Sequence, residues 1–434
     1  MFMRKAYRLA LLGTVAACAP LAPLPSVVPT APVPTSASSD GATATTAPTG
    51  APPASTDLTE AYDHANFDAW RQSFLERHGG GYKWEYAREL RDVTPNPSVV
   101  RLDRNQPEFS RPAGVYIQNA TVASRIAMAR QRTDRVPFSV VQTYGVPTEI
   151  LLGIWAQESA FGAVQGDFDV IRSLATLAYD GRRRAWAEAQ LKHALDIVVS
   201  GKRDRAGLKG SWAGAMGQTQ FMPDNYLKLG VDQNGDGKVD IWGSDADALA
   251  SAANLLAQAG WKAGQGWAYE ITLPSNFDYS LVEGPKHDWA FWQSKGVRLT
   301  NGQSLNAAEM AEGAAILLPQ GAKGPIFLAL PNHYVIRAYN NSVSYALAIG
   351  LIADGVTGKP ALSGSWPNDG PMTREQRVGA QTALTKMGFD TQGVDGVIGA
   401  NTRAALRRWQ AANNRTADGY LTDTLAEELI RKAR

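Results

Sequence analysis

The segment GVPTEILLGIWAQESAFG, 145–162, carries apolar residues at nearly every position around a helical turn. Pro147 suits a first helical position and Gly162 suits a helix stop, so this segment is predicted to form one helix. The absence of a polar face is typical of a helix that is buried inside a larger fold. Glu158 follows Trp155 by three residues, which places its carboxyl on the same side as apolar groups.

A carboxyl at that position has two interpretations. Burial would raise the pKa of Glu158 and keep the side chain protonated at neutral pH, as a general acid requires. Alternatively, the side chain leaves the end of the helix and reaches water or pairs with an arginine. This segment alone does not separate the two interpretations.

Most other segments also show helical spacing, and strict alternation of polar and apolar residues is confined to WAYEITLP. Two segments rich in Pro, Gly, Ala, Ser and Thr are unable to bury a core. These breaks predict a leader at 1–18, a disordered tether at 19–56, a large globular unit at 57–354, a linker at 355–371 and a small terminal unit at 372–434.

The N-terminus has the pattern of a secretory signal, in which Arg4, Lys5 and Arg8 precede the apolar run LALLGTVAAC. That run is too short to span a bilayer. Its ending VAAC resembles a bacterial lipobox, which implies that Cys18 becomes a lipidated first residue anchored in a membrane. In such lipoproteins, Ala19 after the cysteine indicates the outer membrane and a periplasmic location. The alternative is an ordinary signal peptide that contains Cys18.

Charge and composition narrow the class of partner. The formal net charge of the 434 residues is +2, and no basic run is interleaved with aromatics, so nucleic acid is not expected as a partner. The chain contains 12 Trp and 14 Tyr. Aromatic rings offer apolar platforms with a polar edge that suit carbohydrate, although most rings in any chain belong to its core.

Three further segments combine small or aromatic residues with polar groups. GSWAGAMGQTQFMPDNY lets backbone approach a ligand closely and supplies Ser211 and Gln220. LATLAYDGRRRAW supplies Arg183 and Arg184, and YNNSVSYALAIGLIAD begins with tyrosines and asparagines before it becomes a helix. Taken singly, the arginines could be a solvated surface and the small residues a packing turn. Together with AQESAFG, and in this order, the segments resemble the membrane-bound B type of bacterial lytic murein transglycosylase over about 67–354.

This resemblance implies roles for the matching residues. Glu158 matches the catalytic acid of the family, and Ser211 and Gln220 match residues that hold the sugar and its N-acetyl group. Other matches are the groove-lining pair Arg183 and Arg184 and, around the cleavage point, Tyr339, Asn340 and Tyr345. One position departs from the family, because Leu255 stands where relatives often carry a tyrosine, so a saccharide contact is expected to be missing or replaced.

The implied reaction uses a single acid. Glycosidases with two carboxylates place them roughly 5 to 9.5 Å apart. Glu149 lies nine residues before Glu158, roughly 13.5 Å along a helix, and is too far. Asp167 and Asp169 follow the helix and could fold back towards it. In the simpler interpretation, Glu158 protonates the glycosidic oxygen between MurNAc and GlcNAc and then acts as base on the MurNAc C6 hydroxyl, giving a 1,6-anhydro product without water.

The segment DQNGDGKVDIW resembles the first part of a calcium loop built around Gly237. Gly243 occupies the place of the usual closing Glu, and the family resemblance suggests Asp247 instead. The expected ligands of a structural Ca²⁺ are Asp232, Asn234, Asp236, the carbonyl of Lys238, Asp240 and Asp247. The alternative is a turn that binds nothing. No organic cofactor is expected.

The terminal unit repeats an Asp-Gly pair, Asp395-Gly396 and Asp418-Gly419, each followed by an apolar residue and a helix start. This pattern resembles the small helical peptidoglycan-binding domain found on many wall enzymes. The alternative is a helical appendage without a ligand.

The sequence therefore predicts a mainly α protein with a lysozyme-like catalytic domain and a small helical C-terminal peptidoglycan-binding domain. The expected activity is non-hydrolytic cleavage of the MurNAc-GlcNAc β-1,4 bond in peptidoglycan glycan strands by a protein held to the membrane through a lipid anchor. Two alternatives share parts of the pattern. A muramidase would use water and leave a reducing end, and a non-catalytic wall-binding protein would not need Glu158. The sequence identifies no protein partner.

Overall fold

The computed structural model describes residues 64–104, 111–300 and 302–434, so the leader, the tether and Cys18 lie outside the described residues. Helices dominate these ranges, as the sequence pattern predicts. The helices are α1 (His64–His78), α2 (Lys83–Leu90), α3 (Pro97–Arg104), α4 (Ala113–Ala120), α5 (Ala123–Arg130), α6 (Phe138–Tyr144), α7 (Thr148–Ser159), α8 (Val170–Asp180), α9 (Arg184–Val199), α10 (Pro223–Leu229), α11 (Asp245–Gln258), α12 (Trp289–Ser294), α13 (Ala307–Ala311), α14 (Pro331–Tyr339), α15 (Val343–Thr357), α16 (Arg374–Lys386), α17 (Ala400–Ala412) and α18 (Asp423–Lys432). In this part of the chain, no helix is both long enough and apolar enough to cross a membrane.

The helix α7 is the centre of the largest core, and α15 packs along it. Its apolar residues are buried as expected. The helix begins at Thr148, with Pro147 in extended backbone just before it, and it ends at Ser159 rather than at Gly162. The earlier end arises because Ala160 and Phe161 adopt positive φ values of 49° and 60°, which take the chain out of the right-handed helix.

A four-stranded antiparallel sheet forms a separate layer with its own core around the buried Trp292. The strands follow the order β4 (Arg298–Leu299), β3 (Ala268–Thr272), β6 (Ile326–Ala329) and β5 (Ala315–Leu317). Alternation in WAYEITLP indicated β3, and no pattern in the sequence indicated β5 or β6. Every residue of those two strands is buried, so they form continuous apolar runs without alternation. A further two-residue ladder pairs β1 (Phe168–Asp169) with β2 (Lys209–Gly210).

The segment expected to be a linker is held against this sheet. Helix α15 continues to Thr357, and the indole of Trp366 then stacks on Phe327 with ring centroids 6.4 Å apart. The buried carboxylate of Glu270 accepts hydrogen bonds from the N–H groups of Ser363 and Gly364, both at 2.8 Å. These contacts order the segment between the two units.

The C-terminal unit, α16 to α18, packs around the buried Trp409 and contacts the sheet layer. Asp418 accepts a hydrogen bond of 2.9 Å from the N–H of Ala322, and the hydroxyl of Tyr420 donates to Asp369 at 3.0 Å. Direct polar contacts therefore join the unit to the large domain, through Ala322, and to the segment 355–371, through Asp369.

Candidate active site

Glu158 lies in the last turn of α7 and is 3% exposed. Its Oε1 accepts a hydrogen bond of 2.5 Å from the hydroxyl of Tyr345, and its buried Oε2 has no hydrogen-bond partner among the described residues. Desolvation by burial raises the pKa of Glu158 to about 8, while the bond from Tyr345 lowers it in part. The side chain is therefore protonated at neutral pH and has one oxygen without a protein partner. The interpretation in which Glu158 leaves the helix end to reach water or an arginine is therefore excluded.

Tyr339 and Tyr345 join α14 and α15 to the acid and to the small-residue segment 210–226. The hydroxyl of Tyr339 donates a hydrogen bond of 2.5 Å to the carbonyl of Thr219, while Tyr345 contacts Glu158 directly. Asn340 follows α14, is 8% exposed, and donates its N–H to the carbonyl of Ile336. The tyrosines thus come together with the acid, and Asn340 lies between them in the chain.

Gln218 braces the acid helix against segment 210–226. Its side-chain oxygen accepts a hydrogen bond of 2.8 Å from the indole N–H of Trp155, and its backbone carbonyl accepts one of 2.6 Å from the hydroxyl of Ser159. Its amide N–H₂ group donates to Asp245 at 3.0 Å. Gln218 was not among the predicted site residues, although it stands two positions before Gln220 in the same segment.

Ser211 and Gln220 shape the same segment. The hydroxyl of Ser211 accepts a hydrogen bond of 3.0 Å from the N–H of Ala215 and is buried. Gln220 has a positive φ of 51°, and its amide N–H₂ group donates to the carbonyls of Gln165 and Gly217. Its buried Oε1 accepts no hydrogen bond within the described ranges. Gln220 therefore has a fixed amide N–H₂ group and a buried oxygen that is left without a donor in the described part of the chain.

Arg183 and Arg184, two of the three arginines in the GRRR run, point to different places. Arg183 pairs with the buried Asp103 at 2.8 Å, and its guanidinium lies 4.4 Å from the Trp186 ring centroid and 5.9 Å from that of Trp212 in segment 210–226. Arg184 donates to the carbonyls of Ala178 and Tyr179 at the end of α8. Arg183 therefore contacts the segment that carries Ser211, whereas Nε and Nη2 of Arg184 donate to the end of a helix and the rest of this side chain is exposed.

Three other residues singled out in the sequence can now be placed. Asp169 caps α8 by accepting from the N–H of Arg172 and pairs with Arg205 at 2.7 Å, so its carboxylate is engaged in structural contacts. Asp167 is exposed. Leu255 is 6% exposed and packs among the apolar residues of the main core.

The acidic loop folds into a compact turn in which its carboxylates accept backbone N–H groups. Asp232 accepts from Gly235, Asp236 and Gly237, and the fully buried Asp247 accepts from Gln233, Asn234 and Asp240. Asp236 receives the N–H of Lys238, and Asp240 receives those of Trp242 and Gly243. Across 64–104, 111–300 and 302–434, no group of three or more His, Cys, Asp or Glu side chains is arranged to hold a metal ion. The side-chain oxygens of this loop are of the type that Ca²⁺ prefers as ligands. In the structure they are arranged around a turn, in which they accept backbone N–H groups.

The Asp-Gly repeat of the C-terminal unit is a repeated contact as well as a repeated sequence. In each copy a buried glutamine accepts the N–H of the glycine and donates to the aspartate: Gln381 serves Gly396 and Asp395, and Gln410 serves Gly419 and Asp418. Both glycines have positive φ, 80° and 74°, which favours glycine there.

The family profile described as Transglycosylase SLT domain matches residues 66–354, and that described as Putative peptidoglycan binding domain matches residues 373–429. The chain belongs to the transglycosylase SLT domain family. The lysozyme-like fold and the family that the sequence motifs indicated are therefore confirmed.

Individual relatives agree with this assignment. Membrane-bound lytic murein transglycosylase B of Escherichia coli K12 is 35% identical over 217 residues, which cover 50% of this chain and 58% of the E. coli protein, so the match spans little more than half of that relative. The structure of SltB3 from Pseudomonas aeruginosa in complex with NAG-anhNAM-pentapeptide is 44% identical, covers 84% of this chain and 99% of that one, and superposes with a TM-score of 0.79. The E. coli transglycosylase SLT35 in complex with calcium is 28% identical, with 67% and 92% covered and a TM-score of 0.55.

Proposed function

We propose that this protein is a lytic transglycosylase that cleaves the MurNAc-GlcNAc β-1,4 bond of peptidoglycan strands and leaves 1,6-anhydroMurNAc ends. The observation that carries the proposal is the environment of Glu158. This carboxyl is buried, protonated at neutral pH, held through one oxygen by Tyr345, and without a protein partner on the other. Such a group is prepared to donate a proton to a ligand.

The reaction needs Glu158 in two protonation states. Protonated Oε2 donates its proton to the glycosidic oxygen, so that the bond to C1 of MurNAc breaks and the GlcNAc hydroxyl leaves. The resulting carboxylate then accepts the proton of the C6 hydroxyl as that oxygen bonds to C1 and closes the anhydro ring. The hydroxyl of Tyr345 stabilises the carboxylate between the two steps, because hydrogen bonds to a charged form favour it.

The neighbouring residues are suited to holding the sugar. Gln220 Oε1 can accept the N–H of an N-acetyl group, and its amide is already fixed by two carbonyls. We assign roles in lining the sugar-binding groove to six residues: Arg183, Arg184, Ser211, Tyr339, Asn340 and Tyr345. Since SltB3 is described in complex with NAG-NAM-pentapeptide, we propose glycan that carries peptide stems as the substrate, with the C-terminal unit, 372–434, as an additional wall-binding domain.

We also propose that the acidic loop binds a structural Ca²⁺. SLT35, a relative of this chain, is described in complex with calcium. A carboxylate oxygen has two lone pairs, so one that accepts a backbone N–H keeps capacity for a cation. Asp232, Asn234, Asp236, Asp240 and Asp247, with the carbonyl of Lys238, would hold the ion. The proposed acid and base steps do not involve it.

For location, we propose a periplasmic protein anchored to the outer membrane through a lipid on Cys18. The leader pattern with VAAC before Ala19 supports this location, as does the relative in E. coli that is described as membrane-bound. Protein partners are not part of the proposal.

Mass analysis of glycan products tests the activity. We expect purified sacculi digested by the full-length protein to yield muropeptides with 1,6-anhydroMurNAc ends, each lighter by one water than the hydrolytic product. Reducing MurNAc ends would instead identify a hydrolytic muramidase. Binding to sacculi without any soluble product would identify a non-catalytic wall-binding protein.

A further inference from the structure

Four cationic side chains lie around the residues that precede α12, which contact α14 on one side and α17 of the C-terminal unit on the other. We call Lys286, Arg337, Arg403 and Arg407 the seam cluster. The ammonium of Lys286 lies 3.6 Å from the ring centroid of Tyr334, and the guanidinium of Arg337 lies 5.8 Å from the same centroid.

One carboxylate enters this group. Glu283 pairs with Arg403 at 2.8 Å and with Arg407 at 3.3 Å. By contrast, neither Lys286 nor Arg337 forms an ion pair with a carboxylate of the described residues. Two cations of the cluster therefore lie beside the others without an ion pair of their own in the part of the chain described.

Arg337 has a buried hydrogen-bond donor without a partner among the described residues. One nitrogen donates to the side chain of Asn341 at 2.7 Å, while its buried Nε has no partner in the part of the chain that the structure describes. Burial lowers the pKa of Arg337 and the charge of Arg403 lowers it further, while Tyr334 and the carboxylate of Glu283 raise it in part. Burial and the charge of Arg337 likewise lower the pKa of Lys286. An anion bound here would reduce the repulsion among the cations and would accept the hydrogen bond that Nε of Arg337 lacks.

The adjacent His333 adds no charge. Its ring is fully buried and neither nitrogen has a hydrogen-bond partner among the residues described. Burial, together with the charges of Arg337 and Lys286, lowers the pKa of His333 to about 3. The cluster is therefore a permanently positive site that has one internal carboxylate.

We propose that the seam cluster binds carboxylate groups of the peptide stems on the glycan strand. This proposal rests on the proposed function. Every stem ends in a carboxylate that is ionised at neutral pH, and guanidinium groups are the preferred protein partners of carboxylates. Helix α14 carries Arg337 two residues before Tyr339, so the two side chains leave the helix on different faces and the cluster lies across α14 from the candidate active site. A stem of five residues extends up to about 17 Å, which is enough to leave the groove and reach a neighbouring surface.

The test compares two soluble glycans, one carrying pentapeptide stems and the same glycan after removal of the stems. The full-length variant Lys286→Gln with Arg337→Gln is compared with the control Lys202→Gln with Arg298→Gln, which removes the same charge from two exposed positions elsewhere. We expect the seam variant to raise KM for the stem-bearing glycan about tenfold with kcat near wild type, and to leave the stem-free glycan unchanged. Arg337→Lys should retain most of the affinity. Equal losses on both glycans, or the same loss in the control variant, would overturn the proposal.

A second readout does not depend on catalysis. Calorimetry measures binding of free pentapeptide to Glu158→Gln protein with and without the two seam substitutions. We expect the substitutions to weaken binding at least tenfold. Unchanged binding would refute the seam assignment, and inorganic phosphate that displaces pentapeptide completely at equal concentration would reduce the cluster to a general anion site. If wild-type protein cleaves neither glycan, the proposed function fails while this measurement still decides the seam assignment.

Discussion

The hydroxyl of Tyr345 donates a hydrogen bond to Oε1 of Glu158 across 187 residues of sequence. It joins α15 to the last turn of α7 and uses one carboxyl oxygen, which leaves Oε2 for a ligand. The bond opposes the effect of burial on the pKa of Glu158, which settles at about 8. A general acid with a pKa near the working pH can both give and take a proton, as a reaction with one carboxyl requires.

Glu158→Gln should abolish cleavage while binding to sacculi persists, because the amide keeps the shape of the side chain but has no proton to donate. We expect the rate of product formation to fall at least about 100-fold. Glu149→Gln, at the start of the same helix, is the matched control and should cleave normally. Activity of the Glu158 variant within tenfold of wild type would refute the assignment of the acid.

The raised pKa of Glu158 makes stability depend on pH in a defined window. Between its ordinary pKa of 4.5 and the folded value of about 8, the unfolded chain loses the proton while the folded protein keeps it. The folded state then binds more protons, so this group makes the protein less stable as pH rises through the window. We expect the melting temperature of Glu158→Gln to match wild type near pH 4 and to exceed it increasingly up to about pH 8. A constant difference across the window would contradict the buried pKa.

Tyr345→Phe removes the one hydrogen bond on Oε1, so the pKa of Glu158 should rise further and the alkaline limb of the pH-rate profile should move to higher pH. The carboxylate that forms after proton transfer loses its donor, and we expect kcat to fall about tenfold. Tyr226→Phe removes a hydroxyl that donates to Val239 and serves as the control. An alkaline limb that stays in place would show that Tyr345 acts only by packing.

Calcium should raise the melting temperature of the wild-type protein, because an ion that binds only the folded state stabilises it by mass action. Asp232→Ala with Asp236→Ala should remove this calcium-dependent shift and leave residual cleavage at low temperature. Scanning calorimetry at millimolar calcium, with magnesium in parallel, makes the measurement. A wild-type curve that calcium does not move would mean that the loop is only a turn.

Cys18→Ser should release the protein from membranes, because the thiol is the proposed point of lipid attachment. Cell envelopes are separated after complete digestion of sacculi, so that wall binding no longer retains the protein. We expect the wild type in the membrane fraction and the variant in the soluble fraction. A variant that still sediments with membranes would refute the lipid anchor.

Much of the active-site helix could be read from the sequence. Its continuous apolar surface predicted burial, because neighbours three and four residues away share a helix face. The place of Glu158 among those residues was compatible with a raised pKa but did not exclude a carboxylate that faces water or an arginine. The Asp-Gly turns of the C-terminal unit could also be predicted from local sequence, since glycine favours the positive φ that each turn requires. The order of motifs then indicated the family.

Only the tertiary structure decided which groups meet across long separations. Gln218 reaches Trp155 across 63 residues and Tyr345 reaches Glu158 across 187, and no local spacing encodes either contact. Strands β5 and β6 escaped prediction because burial on both faces removes the alternation by which a strand is recognised. The seam cluster likewise exists only because folding brings α14 and α17 to the residues that precede α12. The sequence by itself thus determined the chemistry and burial of individual segments, and packing determined their partners, because side-chain contacts depend on distance in space rather than along the chain.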